Sequence, residues 1–149
     1  MSGVLPGATV RVLAPEAGTI IGKNGTEIDV DATTADSTGE AFDGIILPGG
    51  TGNADMLRLD KSAVEIVRNH VTKELPLGVI CHGAWILTDA DVLKGRTLTS
   101  FPSLQTDLRN AGATWVDEEV HCDQGLVSSR TPDDLPAFNA KLIEEFAEG

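Results

Sequence analysis

Apolar residues along this chain fall into short runs that stop at sharp turns. Phe42-Asp43-Gly44-Ile45-Ile46-Leu47 ends in Pro48-Gly49-Gly50, and Leu77-Gly78-Val79-Ile80 ends in Cys81-His82-Gly83. Runs of this length, rich in Val, Ile and Leu, predict buried strands. Ala8-Thr9-Val10-Arg11-Val12-Leu13, closed by Ala14-Pro15-Glu16, predicts another, with strand character over Thr9 to Leu13. Elsewhere the apolar spacing lengthens to a helical period. A helix capped by Asp60 or Ser62 runs to about Lys73 with Val64, Val67 and Val71 on one stripe. Pro102 opens a second, with Leu104, Leu108 and Ala111 on one face and Gly112 as its stop. Thr131 as cap, Pro132 at the first position and Asp134 in the first turn announce a third, whose apolar stripe is Leu135, Phe138, Leu142 and Phe146.

Smaller extended pieces complete the pattern. Thr19 to Gly22 and Glu27 to Val30 flank Asn24-Gly25, a pair suited to a tight turn, and predict a small hairpin outside the main sheet. The polar stretch from Asp31 to Ala41 reads as a loop or one irregular turn. After the turn Lys94-Gly95-Arg96 come Thr97-Leu98-Thr99, Thr114-Trp115-Val116 and Glu119-Val120-His121-Cys122, and Asp123-Gln124-Gly125 leads into Leu126-Val127-Ser128-Ser129. Strands alternating with helices imply a parallel sheet with helices on both faces, and ligands bind beyond the carboxyl ends of such strands. The turns at Gly49-Gly50 and Cys81-His82 both fall there.

Composition agrees with one α/β domain spanning residues 1–149. Aromatics are 4% of the chain and Tyr is absent, so the core is aliphatic. A formal charge of -12, from 23 acidic and 11 basic residues, repels nucleic acid and anionic membrane surfaces, and neither is expected as a partner. Two cysteines form no disulfide framework, and the amino terminus lacks a signal pattern, so a cytoplasmic protein is expected. No apolar run approaches the roughly 20 residues that span a membrane.

Cys81 carries the most chemistry. It stands where a strand hands over to the helix-like run Ala84-Trp85-Ile86-Leu87, near amide groups and a helix dipole that favour a thiolate. A free cysteine is also a common inert core residue. Its place in an elbow followed by His and Gly favours a nucleophile exposed above the sheet. Backbone amides of Gly50 and His82 form a candidate oxyanion site. His82 is either the base or only a backbone donor, because neighbouring side chains in an elbow need not meet. Asp55 in Asn53-Ala54-Asp55 has a strong rival reading as a helix-start residue. His121 and Cys122 point to opposite faces of a strand with no further ligands near, so no metal is expected. Gly49-Gly50-Thr51-Gly52 lacks a following Gly-Lys-Ser/Thr and predicts no nucleotide, and no cofactor is called for.

Four separated motifs give these residues a context. Ile46-Leu47-Pro48-Gly49-Gly50, Val79-Ile80-Cys81-His82-Gly83, Leu93-Lys94-Gly95-Arg96 and Ser129-Arg130-Thr131-Pro132-Asp133-Asp134-Leu135 resemble the DJ-1/PfpI superfamily, closest to its PfpI-like intracellular protease and stress-protein branch. The resemblance covers nearly everything from Ala8 onward. It implies a flavodoxin-like three-layer sandwich with a mostly parallel sheet and a homo-oligomer. It also implies a nucleophile at Cys81 with His82 beside it, an acid at Asp55 supplied across a subunit boundary, and substrate-binding turns at Gly49, Gly50 and Gly83. The implied activities are peptidase, glyoxalase-like and protein deglycation reactions in stress protection. All pass through a thiol adduct of a small carbonyl or peptide substrate.

Two departures from the family pattern alter these expectations. Ala84 replaces a frequent proline and only relaxes the elbow. Family members also begin with a strand, a loop bearing a glutamate that hydrogen-bonds the cysteine, and a helix, and only then reach the strand matched by Thr9 to Leu13. This amino-terminally truncated pattern has no counterpart for them. The first strand is central in flavodoxin-like order, and each buried unpaired backbone group costs about 1–3 kcal/mol. Three outcomes are expected: neighbouring strands pair directly, another chain lends a strand, or the sequence is a fragment of a longer product. Without the glutamate, the alternative function is a redox-sensing or binding protein that oxidises Cys81 reversibly, or an inactive remnant.

Overall fold

The computed structural model describes residues 7–22 and 25–148. In chain order the first elements are β1 (Leu13–Ala14), β2 (Thr19–Ile21), β3 (Glu27–Asp29), β4 (Ala32–Thr33) and β5 (Ile45–Leu47). They are followed by α1 (Thr51–Leu57), α2 (Lys61–Thr72), β6 (Leu77–Ile80), α3 (Ile86–Asp89), β7 (Thr97–Leu98) and α4 (Gln105–Asn110). The chain closes with β8 (Thr114–Trp115), β9 (His121–Asp123), β10 (Leu126–Ser129) and α5 (Leu135–Glu148). Single 3-10 turns at Ala35–Ser37, Cys81–Trp85, Pro102–Leu104 and Pro132–Asp134 connect them.

The main sheet runs β5-β6-β10-β9, with β5, β6 and β10 parallel and β9 antiparallel. Every residue of β6 and β10 is buried, because alternating side chains meet helices on two faces. Leu77, Val79 and Leu126 face one core with Leu47, Val67, Ile86, Leu87 and Leu108. Ile80 and Val127 face a second core closed by Phe138 and Leu142 of α5. Gly78 is glycine for that packing: a Cβ there would lie 2.4 Å from Leu142. The layers are helix, sheet, helix, and the fold is flavodoxin-like. Among the described residues no helix is long and apolar enough to cross a membrane.

Several expectations needed correction. Of the strand read over Thr9 to Leu13, only Leu13 lies in β1, which is two residues long; residues 7–11 are exposed and outside any strand. The stretch read as a loop, Asp31 to Ala41, contains β4, whose Ala32 and Thr33 pair in parallel with Leu13 and Ala14. Helix α2 is capped as expected, with the Ser62 N–H donating to Asp60 Oδ1 at 3.2 Å. Its buried face is Ala63, Ile66, Val67 and His70, however, and Val64 and Val71 flank it half-buried. Thr131 does not cap the last helical segment with its side chain. Asp134 takes over that end, accepting the Arg130 N–H at 3.0 Å and the Arg130 guanidinium, and the guanidinium holds this carboxyl below its usual range. The expected hairpin is present, with Ile20 opposite Ile28; Lys23 and Asn24 of its turn lie outside the described residues.

Candidate active site

Strand β6 ends at Ile80 in extended geometry, and the next residue, Cys81, has φ +59°. A non-glycine residue held in the left-handed region costs on the order of 1–3 kcal/mol and persists only where its surroundings fix it. Here the Phe101 N–H donates to the Cys81 carbonyl at 3.1 Å, and Gly83 and Ala84 are buried just beyond it. The reversal lifts a half-buried Cys81 side chain off the sheet's carboxyl edge, the geometry of a nucleophile elbow.

Two glycines make room for it. A Cβ on Gly49 would lie 2.9 Å from Cys81 Cβ, and one on Gly83 would lie 2.4 Å from the Leu47 carbonyl oxygen. Both contacts are closer than real Cβ atoms approach, so the β5 and β6 turns interlock only because these positions lack side chains. Gly50 then opens α1, its carbonyl accepting the Ala54 N–H at 2.9 Å. The helix-like run after Cys81 is a 3-10 turn, Cys81–Trp85, leading into an α3 of four residues. The expectation of a full helix dipole behind the thiol is corrected accordingly, since one or two turns sum few peptide dipoles.

His82 does meet its neighbour. Its Nδ1 lies 3.3 Å from Cys81 Sγ and 3.5 Å from Thr51 Oγ1, and its Nε2 lies 3.4 Å from Ser103 Oγ. Phe101 stacks on the ring with centroids 4.6 Å apart and planes 25° apart. With Nε2–H donating to Ser103, Nδ1 turns a lone pair toward the thiol. Burial holds the imidazole below its ordinary value, so it is neutral and able to accept a proton at neutral pH. Asp55 sits elsewhere: it is exposed on α1, and the hydrogen bonds of His82 go to Cys81, Thr51 and Ser103.

Thr51, Phe101 and Ser103 escaped the sequence reading. Phe101 and Ser103 follow the short strand β7, which pairs with β8 rather than joining the main sheet. The rule that loops beyond parallel strands build sites covers them, but nothing in the sequence pattern singles out that particular loop.

The carboxyl edge of this flavodoxin-like sheet thus holds a cysteine at a strained turn with an imidazole against it. The chain belongs to the DJ-1/PfpI family, whose model matches residues 5–145. It is 42% identical over 93% of its length to "Deglycase PH1704" of Pyrococcus horikoshii, covering 82% of that protein. It is 43% identical to "General stress protein 18" of Bacillus subtilis, with 92% of this chain and 81% of that protein aligned. Among solved structures, a two-domain protein from Anabaena variabilis with DJ-1/ThiJ/PfpI-like and ferritin-like domains superposes with TM-score 0.89. It is 30% identical, over 95% of this chain and 41% of that one.

Proposed function

We propose that the protein is a cysteine-dependent hydrolase or deglycase that acts on small carbonyl or peptide substrates in stress protection. The observation that carries this reading is the 3.3 Å approach of His82 Nδ1 to Cys81 Sγ at the strained elbow. The thiol proton moves to Nδ1 as sulfur bonds to the substrate carbonyl carbon, and the carbonyl electron pair moves to oxygen. Amides of Gly50 and His82, beside the Gly49 and Gly83 turns, hold that oxyanion. Protonated His82 then returns the proton to the oxygen or to a departing amine, and water releases the product from sulfur. Ser103 and Phe101 keep the imidazole oriented through this cycle. Asp55, exposed on α1, acts in a homo-oligomer as the acid that one subunit lends to the next, and the setting is cytoplasmic. The name of one similar protein, a deglycase, supports the reaction class, and that of another, a general stress protein, supports the stress setting.

Cys81→Ser tests the proposal against methylglyoxal, a glycated peptide and an unmodified peptide. Turnover of at least one of them by the parent chain should fall at least about a thousandfold. Retained turnover in Cys81→Ser refutes the reading.

A further inference from the structure

One nitrogen of His82 faces two side chains, and the thiol chemistry uses only one of them. Cys81 Sγ lies 3.3 Å from Nδ1, and Thr51 Oγ1 lies 3.5 Å from the same atom. A ring nitrogen offers one lone pair or one proton, so thiol and hydroxyl must take turns at it. Ser103 stands at the other nitrogen, 3.4 Å from Nε2, where it orients the ring. Among the described residues, Thr51 is the hydroxyl that shares the nitrogen serving the thiol.

The fold itself makes no demand on this hydroxyl. Thr51 is the first residue of α1, but the N-cap is Gly50, at φ +101°, and no side chain caps that end. Thr51 is exposed, so its hydroxyl adds no buried bond to the stability of the fold. Other threonine hydroxyls are tied into the framework, that of Thr34 to Asp60 and that of Thr88 to the Trp85 carbonyl. Among the described residues the Thr51 hydroxyl meets no side chain or carbonyl but the imidazole. It also follows directly on Gly50, whose amide is one of the two that hold the substrate oxygen. The hydroxyl therefore joins the place where the proton waits to the place where it is needed.

We propose that Thr51 is a catalytic relay whose hydroxyl carries the proton from His82 to the substrate oxygen, an inference that rests on the thiol-adduct reading of the site. Once sulfur has bonded to the carbonyl carbon, Nδ1 holds the thiol proton and the oxygen holds the electron pair. Nδ1–H then donates to Thr51 Oγ1, the Thr51 hydroxyl gives its own proton to the oxygen, and the imidazolium proton replaces it on Oγ1. His82 ends neutral, Thr51 keeps one proton, and the adduct carries no charge. No further reactant is consumed, and the same path run backwards reopens the adduct.

The test compares Thr51→Val, which keeps the branched shape and loses the hydroxyl, with Thr51→Ser, which keeps the hydroxyl. Turnover is measured on whichever of methylglyoxal, glycated peptide and unmodified peptide the parent chain consumes. In Thr51→Val, kcat should fall at least about tenfold with KM nearly unchanged, and Thr51→Ser should return to within about threefold of the parent. A second readout separates the relay from the thiol: the rate at which iodoacetamide alkylates Cys81. Thiol deprotonation needs only Cys81 and His82, so in Thr51→Val that rate should stay within about twofold of the parent. An unchanged kcat in Thr51→Val, or a loss confined to KM, overturns the relay. So does an equal loss in Thr51→Ser, or a Cys81 alkylation rate that falls along with turnover. These results leave the thiol reading standing as long as Cys81→Ser is inactive. Retained turnover in Cys81→Ser, or a parent chain that consumes none of the three substrates, overturns the reading and the relay together.

Discussion

Residues 7–33 and residues 77–129 both carry short strand-forming stretches rich in Val, Ile and Leu, with opposite results. In the first region only Ala14 is buried among the described residues, and Val10, Ile20, Ile21 and Ile28 are exposed. In the second, all of Leu77–Ile80 and Leu126–Ser129 is buried. The difference lies in what faces each strand. β6 and β10 have a helix layer on either side, while β2 and β3 pair only with each other. A strand pattern is a demand for cover, and an isolated two-stranded hairpin supplies none. The Cys81 elbow belongs to the covered half of this fold.

The sharpest way to break the comparison is to delete the same kind of side chain on each side of it. Leu77→Ala should cost about 3 kcal/mol, since Leu77 is 1% exposed between packed neighbours, whereas Ile21→Ala, at 69% exposure, should change stability by less than about 0.5 kcal/mol. Denaturant midpoints at constant slope read both. Next in size is Gly83→Ala: its methyl would press on the Leu47 carbonyl, cost about 2–3 kcal/mol, and disorder the Cys81 elbow so that turnover falls with stability.

A pH series sharpens the contrast further. Buried His70 donates Nε2–H to the Pro76 carbonyl at 2.7 Å, and burial holds its pKa below the ordinary value of 6.5; His82 shifts the same way. The unfolded chain then binds more protons than the folded one just below 6.5. Stability is full above that pH and declines as pH falls through the depressed folded values. His70→Gln, which keeps a donor for Pro76, should flatten part of that decline in thermal melts at pH 5 and 7. The smallest effect on stability belongs to Ser103→Ala. It should leave the melting temperature nearly unchanged while lowering turnover about tenfold and moving the acid limb of the pH–rate profile, with Ser103→Thr restoring both.

What was legible in the sequence follows the same divide. β6, β10 and α5 were readable because their apolar periods match the cores they enter, and Cys81 was readable because an abrupt strand end has few alternatives. The two-residue strands β1 and β4 were not, since tertiary pairing rather than composition creates them. His82 stood next to Cys81 in sequence, but only the positive φ of Cys81 brings the two side chains together. Ser103 and Phe101 come from a loop some twenty residues on, and no local pattern reports that Phe101 closes a hydrogen bond onto the Cys81 carbonyl. Asp55 remains an exposed residue of α1, away from the hydrogen bonds of His82.

The two cysteines allow the most direct test of the central claim. Cys81 and Cys122 are both half-buried, but Cys81 stands beside His82, whereas Cys122 lies on β9 with its thiol pushed up by burial. Limited iodoacetamide treatment, followed by peptide mass spectrometry and turnover assays on the same samples, separates them. Cys81 should be alkylated first, and turnover should fall in proportion to that single modification. Turnover that survives complete alkylation of Cys81, or that follows Cys122 instead, would contradict the account.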